Sequence, residues 1–232
     1  MPFIPVADDN PLRLIPFQAA TAALIAMNVA IYLWQSLLPD ATLWQFWVGY
    51  GAIPAVLSGE AVLPADLYCV PAWATLVTSL FVHSGLWHMA GNMLFLWVFG
   101  DNVEDATGHL LFVLLYLAGG VAGGVLETVV NPGSTAPVIG ASGAVAAVLG
   151  AYLMLHPRRR MLVLAFKVVP LRLHVGVVLA VWIAFQVGGG MLAYGDTQND
   201  VAWWAHVGGF LAGMAMIVPL RRRGFPLFDR AP

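Results

Sequence analysis

Ser142, His206, His88 and Asn92 are the residues of this chain whose types and setting allow covalent chemistry. Ser142 stands in Gly140-Ala141-Ser142-Gly143 and His206 in Ala205-His206-Val207-Gly208-Gly209, while His88 and Asn92 are four residues apart and would share one face of a helix. A serine hydroxyl is a poor nucleophile until a neighbouring base takes its proton. Histidine suits that role and can later return the proton to a leaving amine. The tetrahedral intermediate of acyl transfer also needs donors for its oxyanion. Helix N-terminal amides around Ser142, with the side chains of His88 and Asn92, could supply them. Each element by itself has a plainer explanation. A serine among glycines often serves helix packing, and a lone histidine or a His–Asn pair often makes an interhelical hydrogen bond. The chemistry therefore depends on whether the chain brings all four to one place.

Composition limits how it can do so. Of 232 residues 60% are apolar and 9% charged, with a mean hydropathy of +0.83. Soluble domains carry about 25% charged residues. Ten basic and twelve acidic residues leave a net charge of −2, which excludes a nucleic-acid binder relying on a basic stripe. A single cysteine, Cys69, excludes an intramolecular disulfide framework and a cysteine-based zinc site. Uncharged runs longer than about 18 residues predict a polytopic membrane protein. The fold class expected is all-α.

Six spans are expected. The first follows Arg13 and ends before Pro39; the others centre near Leu94, Leu115, Leu149, Leu179 and Leu211. The first lacks a small-residue cleavage pattern and reads as a retained anchor. This divides the chain into a short cytoplasmic segment (1–13), a six-helix membrane domain (14–220) and a cytoplasmic tail (221–232). The first outer loop, about 39–85, is rich in aromatics such as Trp44, Phe46 and Trp47 that suit the membrane interface. With six spans, one side receives all ten bases, from Arg13 through the 158–160 cluster, Lys167 and Arg172 to Arg221–Arg223 and Arg230. The other receives Asp40, Glu60, Asp66, Asp196 and Asp200. The positive-inside rule then places both termini in the cytoplasm.

In that topology His88, Ser142 and His206 lie near the outer ends of three parallel spans. Lys167 falls on the cytoplasmic side, and Glu127 is the one carboxylate within an outer helical end, so a Ser–His dyad is the arrangement that remains. From Ser142 to His156 is fifteen residues, only about 22 Å of helix. The fourth helix should therefore start below the outer surface, where irregular backbone must be protein-buried or line a wet cavity. His109, His156 and His174 fall beside the basic loops and read as interfacially solvated. Stripes of small residues, with glycines at four-residue spacing among them, mark close helix packing: Gly119, Gly120, Gly123 and Gly124 on the third span, Gly140, Gly143, Ala147, Gly150 and Ala151 on the fourth, Ala205, Gly209 and Gly213 on the sixth.

The stretch 79–88, the His88–Asn92 pair, the stretch 100–104, Gly140-Ala141-Ser142-Gly143 and Ala205-His206-Val207-Gly208-Gly209 together resemble the rhomboid intramembrane serine proteases, over about residues 73–219. The resemblance implies a six-helix rhomboid-like bundle with Ser142 and His206 at the catalytic positions and His88 and Asn92 at the oxyanion-stabilising ones. It further implies cleavage of single-span membrane proteins near the outer face, at small residues in helix-unstable segments, without cofactor or metal. Two features depart from the family. Many members carry a Trp-Arg pair in the first loop, but no arginine lies between Arg13 and Arg158 here. Many also carry an aromatic residue four positions after the serine, beneath the histidine, where this chain has Ala146.

The alternatives are a catalytically inactive rhomboid-like scaffold that binds client transmembrane helices, and a small transporter. Inactive relatives usually lose the serine or the histidine, and both are present. A transporter would place its polar groups at the midplane of inverted repeats, and no such repeat is evident. His-Glu-x-x-His is absent, and neither Gly-Asp pair is preceded by the glycine of an aspartyl intramembrane protease. The expected home is a cell membrane, with a prokaryotic plasma membrane favoured because the residues before the first span are too few for a clear organelle-targeting peptide.

Overall fold

Each of the six apolar segments contains one long helix. The computed structural model describes residues 3–165, 168–195 and 201–229. Among them the elements run β1 (Phe3–Asp8), α1 (Ala19–Gln35), α2 (Asp40–Tyr50), α3 (Pro54–Leu57), α4 (Thr75–Thr78), α5 (Leu86–Thr107), α6 (His109–Val130), α7 (Ser142–Leu155), β2 (Arg160–Ala165), β3 (Val169–His174), α8 (Val175–Leu192) and α9 (Trp203–Leu220), with short 3-10 turns between α3 and α5 and after α9. The helices α6, α8 and α9 are each long and apolar enough to cross a membrane. The stretch Ala65–Phe81 and α5 qualify together but are bent by 81° at their junction. Length and composition thus give three spans, or four with the bent pair, against an expectation of six. The shortfall comes from α1 and α7, with 17 and 14 residues. The chain is a multi-pass membrane protein.

The shortest of the six long helices is the most enclosed. Along α7, Gly143 to Tyr152 and Leu155 are buried, and α5, α6 and α9 pack around it. Small residues permit this. A Cβ on Gly209 or Gly213 of α9 would overlap the carbonyl of Gly143 or Ala147 on α7, and one on Gly123 of α6 would overlap the carbonyl of Ala205 on α9. Without water to drive helices together, such approach lets dispersion and weak polar contacts accumulate. At Gly143 the reading is milder, since a Cβ there would meet the Ala205 carbonyl at an ordinary 3.5 Å.

Carboxylates fix the helix ends. Glu104, fully buried near the end of α5, accepts the backbone N–H groups of Ala20 and Thr21 at 2.9 and 2.8 Å, and the Thr21 hydroxyl at 2.7 Å. Asp105 accepts those of Arg13, Leu14 and Ile15 at 2.6–2.8 Å. First-turn N–H groups lack intrahelical partners, so Glu104 caps α1 while Asp105 holds the chain leading into it. Glu127 of α6 does the same for α9, accepting N–H from Trp204 and Ala205 at 3.0 and 3.1 Å.

Two expectations are corrected. The fold is mostly but not wholly helical, because β1, β2 and β3 form an antiparallel sheet in that order. Residues 3–8 of the N-terminal segment are built into that sheet. Met161 and Val163 are buried while Leu162 and Leu164 are only partly so, the period-two alternation of a half-covered strand. That pattern lies beside a basic cluster and reads as a loop when helices alone are sought. His156, expected to be solvated, is buried and bonded through Nδ1 to Asp229 at 3.0 Å.

Several ties gather the basic residues at the end of the bundle that carries this sheet. Arg13 lies over the Phe225 ring, the Arg222 N–H donates to Ala106, and Arg159 faces Asp229. Lys167, Asp196, Asp200 and Arg230 lie outside the described residues.

Candidate active site

α7 begins at Ser142, as the short fourth helix required. The loop before it is pinned in place: the Gly140 N–H donates to the Ser79 carbonyl at 2.9 Å and the Ala141 N–H to His83 Nε2 at 3.3 Å. Gly140 itself, expected as a helix-packing residue, lies in this loop with φ +120, a conformation that L side chains rarely adopt. A Cβ there would also stand 2.6–2.7 Å from the His88 ring. Glycine thus lets the chain turn into α7 directly against His88.

On α9, directly after the residues that Glu127 caps, His206 turns Nε2 toward Ser142 Oγ at 2.8 Å. Its other ring nitrogen, Nδ1, is 2.8 Å from Oε1 of Gln186 on α8. An amide oxygen only accepts, so a hydrogen on Nδ1 would satisfy this contact and leave the Nε2 lone pair for the serine hydroxyl. The spacing is the one that a serine nucleophile, a base and an orienting group would need, with the three side chains on three helices. The Trp182 ring, four residues before Gln186 on the same face, lies 6.1 Å from the imidazole, inclined by 44°. Ala146 is buried next to Gly209.

Asn92 and His88 line the same cavity as Ser142 and His206, a space of about 910 Å³. Asn92 Nδ2 donates to His83 Nε2 at 3.2 Å, which leaves its second hydrogen uncommitted to that bond. His88 Nδ1 lies 3.0 Å from Ser84 Oγ. With the Ser84 hydroxyl donating, the His88 hydrogen is on Nε2, the atom facing Gly140. The four residues singled out by type and spacing therefore border one hollow.

Residues 71–223 match the family model for the Rhomboid domain. The chain is a member of the rhomboid family. Among curated relatives, this rhomboid chain is 29% identical to Rhomboid protein 1, mitochondrial, of Saccharomyces cerevisiae over 83% of its own length and 50% of that protein's. It is 33% identical to the Rhomboid protease GluP of Bacillus subtilis over 63% of its own length and 27% of that protein's. With the human Presenilin-associated rhomboid-like protein, mitochondrial, identity is 28% over 85% and 47%. The chain thus spans half or less of these relatives. Two of the three carry mitochondrial names, which runs against the expectation of a prokaryotic plasma membrane; a multi-pass membrane location stands.

Three side chains around this rhomboid site make contacts that the sequence does not show. Gln186 is a lone amide within an apolar helix, and the cost of an amide at membrane depth was the available clue. His83 lies just before α5. Its Nε2 accepts from both Asn92 and Ala141, and Gln35 of α1 clasps its backbone by accepting its N–H at 3.2 Å and donating to its carbonyl at 2.5 Å. Glu127 was noticed only as a misplaced candidate for a triad. In the first loop, Trp44 is exposed and Trp47 borders the cavity. The first loop is tied to the 131–141 loop by a bridge between Ala52 and Val138, and by hydrogen bonds from Ala55 N–H to the Ser134 carbonyl and from Ser58 Oγ to that of Pro132.

Proposed function

We propose that this rhomboid-family chain is an intramembrane serine endopeptidase, cleaving single-span membrane proteins near the outer membrane face by a Ser142–His206 dyad. The observation that carries the reading is the 2.8 Å contact between Ser142 Oγ and His206 Nε2 at the edge of a cavity. As Oγ attacks the scissile carbonyl carbon, its proton passes to Nε2. The carbonyl becomes an oxyanion facing the first-turn amides of α7 and the side chains of His88 and Asn92. His206 then gives the proton to the departing amine, the C–N bond breaks, and an acyl-serine remains. Water, activated by the same Nε2, attacks the acyl carbon; its oxygen stays with the new carboxyl group and Ser142 recovers its hydrogen. The low dielectric of the site strengthens each hydrogen bond in the sequence.

The reading carries the topology with it. The domain 14–220 crosses the bilayer six times, with 39–85 on the outer side and both ends in the cytoplasm. The short α1 and α7 complete their spans with adjoining loop, which for α7 sets Ser142 beneath the surface. Transmembrane proteins and the lipid bilayer are the partners, and no cofactor or metal takes part.

The test is labelling of the purified protein by a fluorophosphonate, with the adduct mapped, alongside cleavage of a single-span reporter. Labelling at Ser142, with cleavage abolished by Ser142→Ala and by His206→Ala in folded protein, is the expected result. Cleavage by Ser142→Ala at the parent's rate would overturn the assignment. Reporter binding without labelling or cleavage would make the protein a scaffold for client helices.

A further inference from the structure

The proton on the His206 ring has two possible homes, and only one leaves the serine-facing nitrogen able to act as a base. In many relatives an aromatic ring beneath the histidine restrains it, and Ala146 removes that restraint here. α8 provides two groups in its place, Trp182 and Gln186, four residues apart and so on one helix face. Gln186 is 1% exposed, and its Oε1 lies 2.8 Å from His206 Nδ1. The register of α8 against α9 that makes this contact possible is set one turn further on. There Gly189 and Gly190 receive the Trp203 and Trp204 rings, which lie 2.7 and 3.0 Å from where their Cβ atoms would stand.

We infer that Gln186 is a positioning residue for catalysis: its side-chain oxygen holds the hydrogen of His206 on Nδ1 and thereby keeps Nε2 unprotonated toward Ser142. The inference rests on the dyad reading above. When Nε2 takes the serine proton the imidazole becomes a cation, and the same Oε1 continues to accept from Nδ1–H, now in a stronger charge-assisted bond. A neutral amide suits this setting. It brings no charge into the apolar helix bundle, where an unpaired carboxylate would be costly, yet it still selects the tautomer. Loss of the acceptor would let the ring adopt the other tautomer or turn away, with a fall in turnover of about tenfold, the worth of one neutral hydrogen bond.

The decisive measurement is nitrogen NMR of full-length protein carrying ¹⁵N-labelled histidine, with the His206 signals assigned by their loss in His206→Ala. The parent should show Nδ1 protonated and Nε2 bare. Gln186→Leu should show a mixed population, with reduced kcat, unchanged KM and slower fluorophosphonate labelling of Ser142. Gln186→Glu, which keeps an oxygen at the same place, should restore the Nδ1–H form and part of kcat. Should Gln186→Leu fail to fold, Gln186→Met removes the acceptor with less change of shape, and the parent spectrum decides independently of any variant. A parent with the proton on Nε2 would mean that the amide is turned the other way and would overturn the inference. So would a folded Leu or Met variant with the parent's tautomer and kcat. The spectrum reads out even if no reporter is cut, so failure of the protease reading and failure of this one are separable.

Discussion

Adding a single methyl group at Gly209 should disable the site without touching either residue of the proposed dyad. Gly209 lies three residues after His206, and its closest neighbour across the helix interface is the carbonyl of Gly143, the residue after Ser142. An alanine Cβ at that point would overlap the carbonyl oxygen, a backbone atom that cannot swing aside, so α7 and α9 must part by about 1 Å. The same parting acts on the dyad one turn away. The Ser142–His206 contact, 2.8 Å in this structure, would lengthen beyond the roughly 3.2 Å reach of a working base. Misplacement of this size costs about 10²-fold in turnover, while overpacking lowers stability by about 1–3 kcal/mol. The assay is the initial rate of reporter cleavage in proteoliposomes, paired with the fluorophosphonate labelling rate and thermal unfolding. Gly188→Ala is the control, since nothing lies within 4 Å of a Cβ added there. Folded Gly209→Ala with the parent's cleavage and labelling rates would refute the claim that this glycine contact sets the dyad distance.

Two further outcomes follow from the same geometry. His88→Ala and Asn92→Ala should each lower kcat by about 10²-fold with little change in KM if their side chains meet the oxyanion; unchanged kcat in both would return them to a structural role. His156, just beyond the end of α7, has a pKa below its ordinary value of 6.5, chiefly because burial disfavours the cation, with the Asp229 contact acting the other way. Between that lowered value and 6.5 the folded protein holds fewer protons than the unfolded chain, so stability falls as pH drops through this window and levels off above it. The thermal midpoint should therefore fall below pH 6.5 in the parent and fall less in His156→Gln. Equal slopes in the two would show that His156 is not the group responsible.

How far the site could be read from the chain depended on the range of each interaction. The start of α7 at Ser142 was legible because a short apolar run bounded by Gly140 and His156 admits few placements. The pairing of His88 with Asn92 was legible because helical periodicity is local. The sheet was not, since β1 and β2 lie about 150 residues apart in the chain and their alternation is too short to stand out beside a basic cluster. Gly140 looked like its neighbours in a small-residue stripe. Only its backbone angle and its contact with His88 separate a turn residue from a helix-packing one.

The sequence by itself determined the membrane class, the six apolar segments and the identity of the four side chains facing the cavity, because hydropathy and three-to-four-residue spacing are properties of neighbouring residues. The tertiary structure alone decided which atoms those side chains meet: Gln186 on His206, His83 on Asn92 and Ala141, Glu127 on the start of α9. A helix can rotate about its axis or slide along its neighbour with little change in its hydropathy, yet a rotation of about 100° or a slide of about 5.4 Å moves a polar atom several ångströms out of hydrogen-bond reach. Glycine-to-carbonyl contacts, which form only when the helices are assembled, remove that freedom.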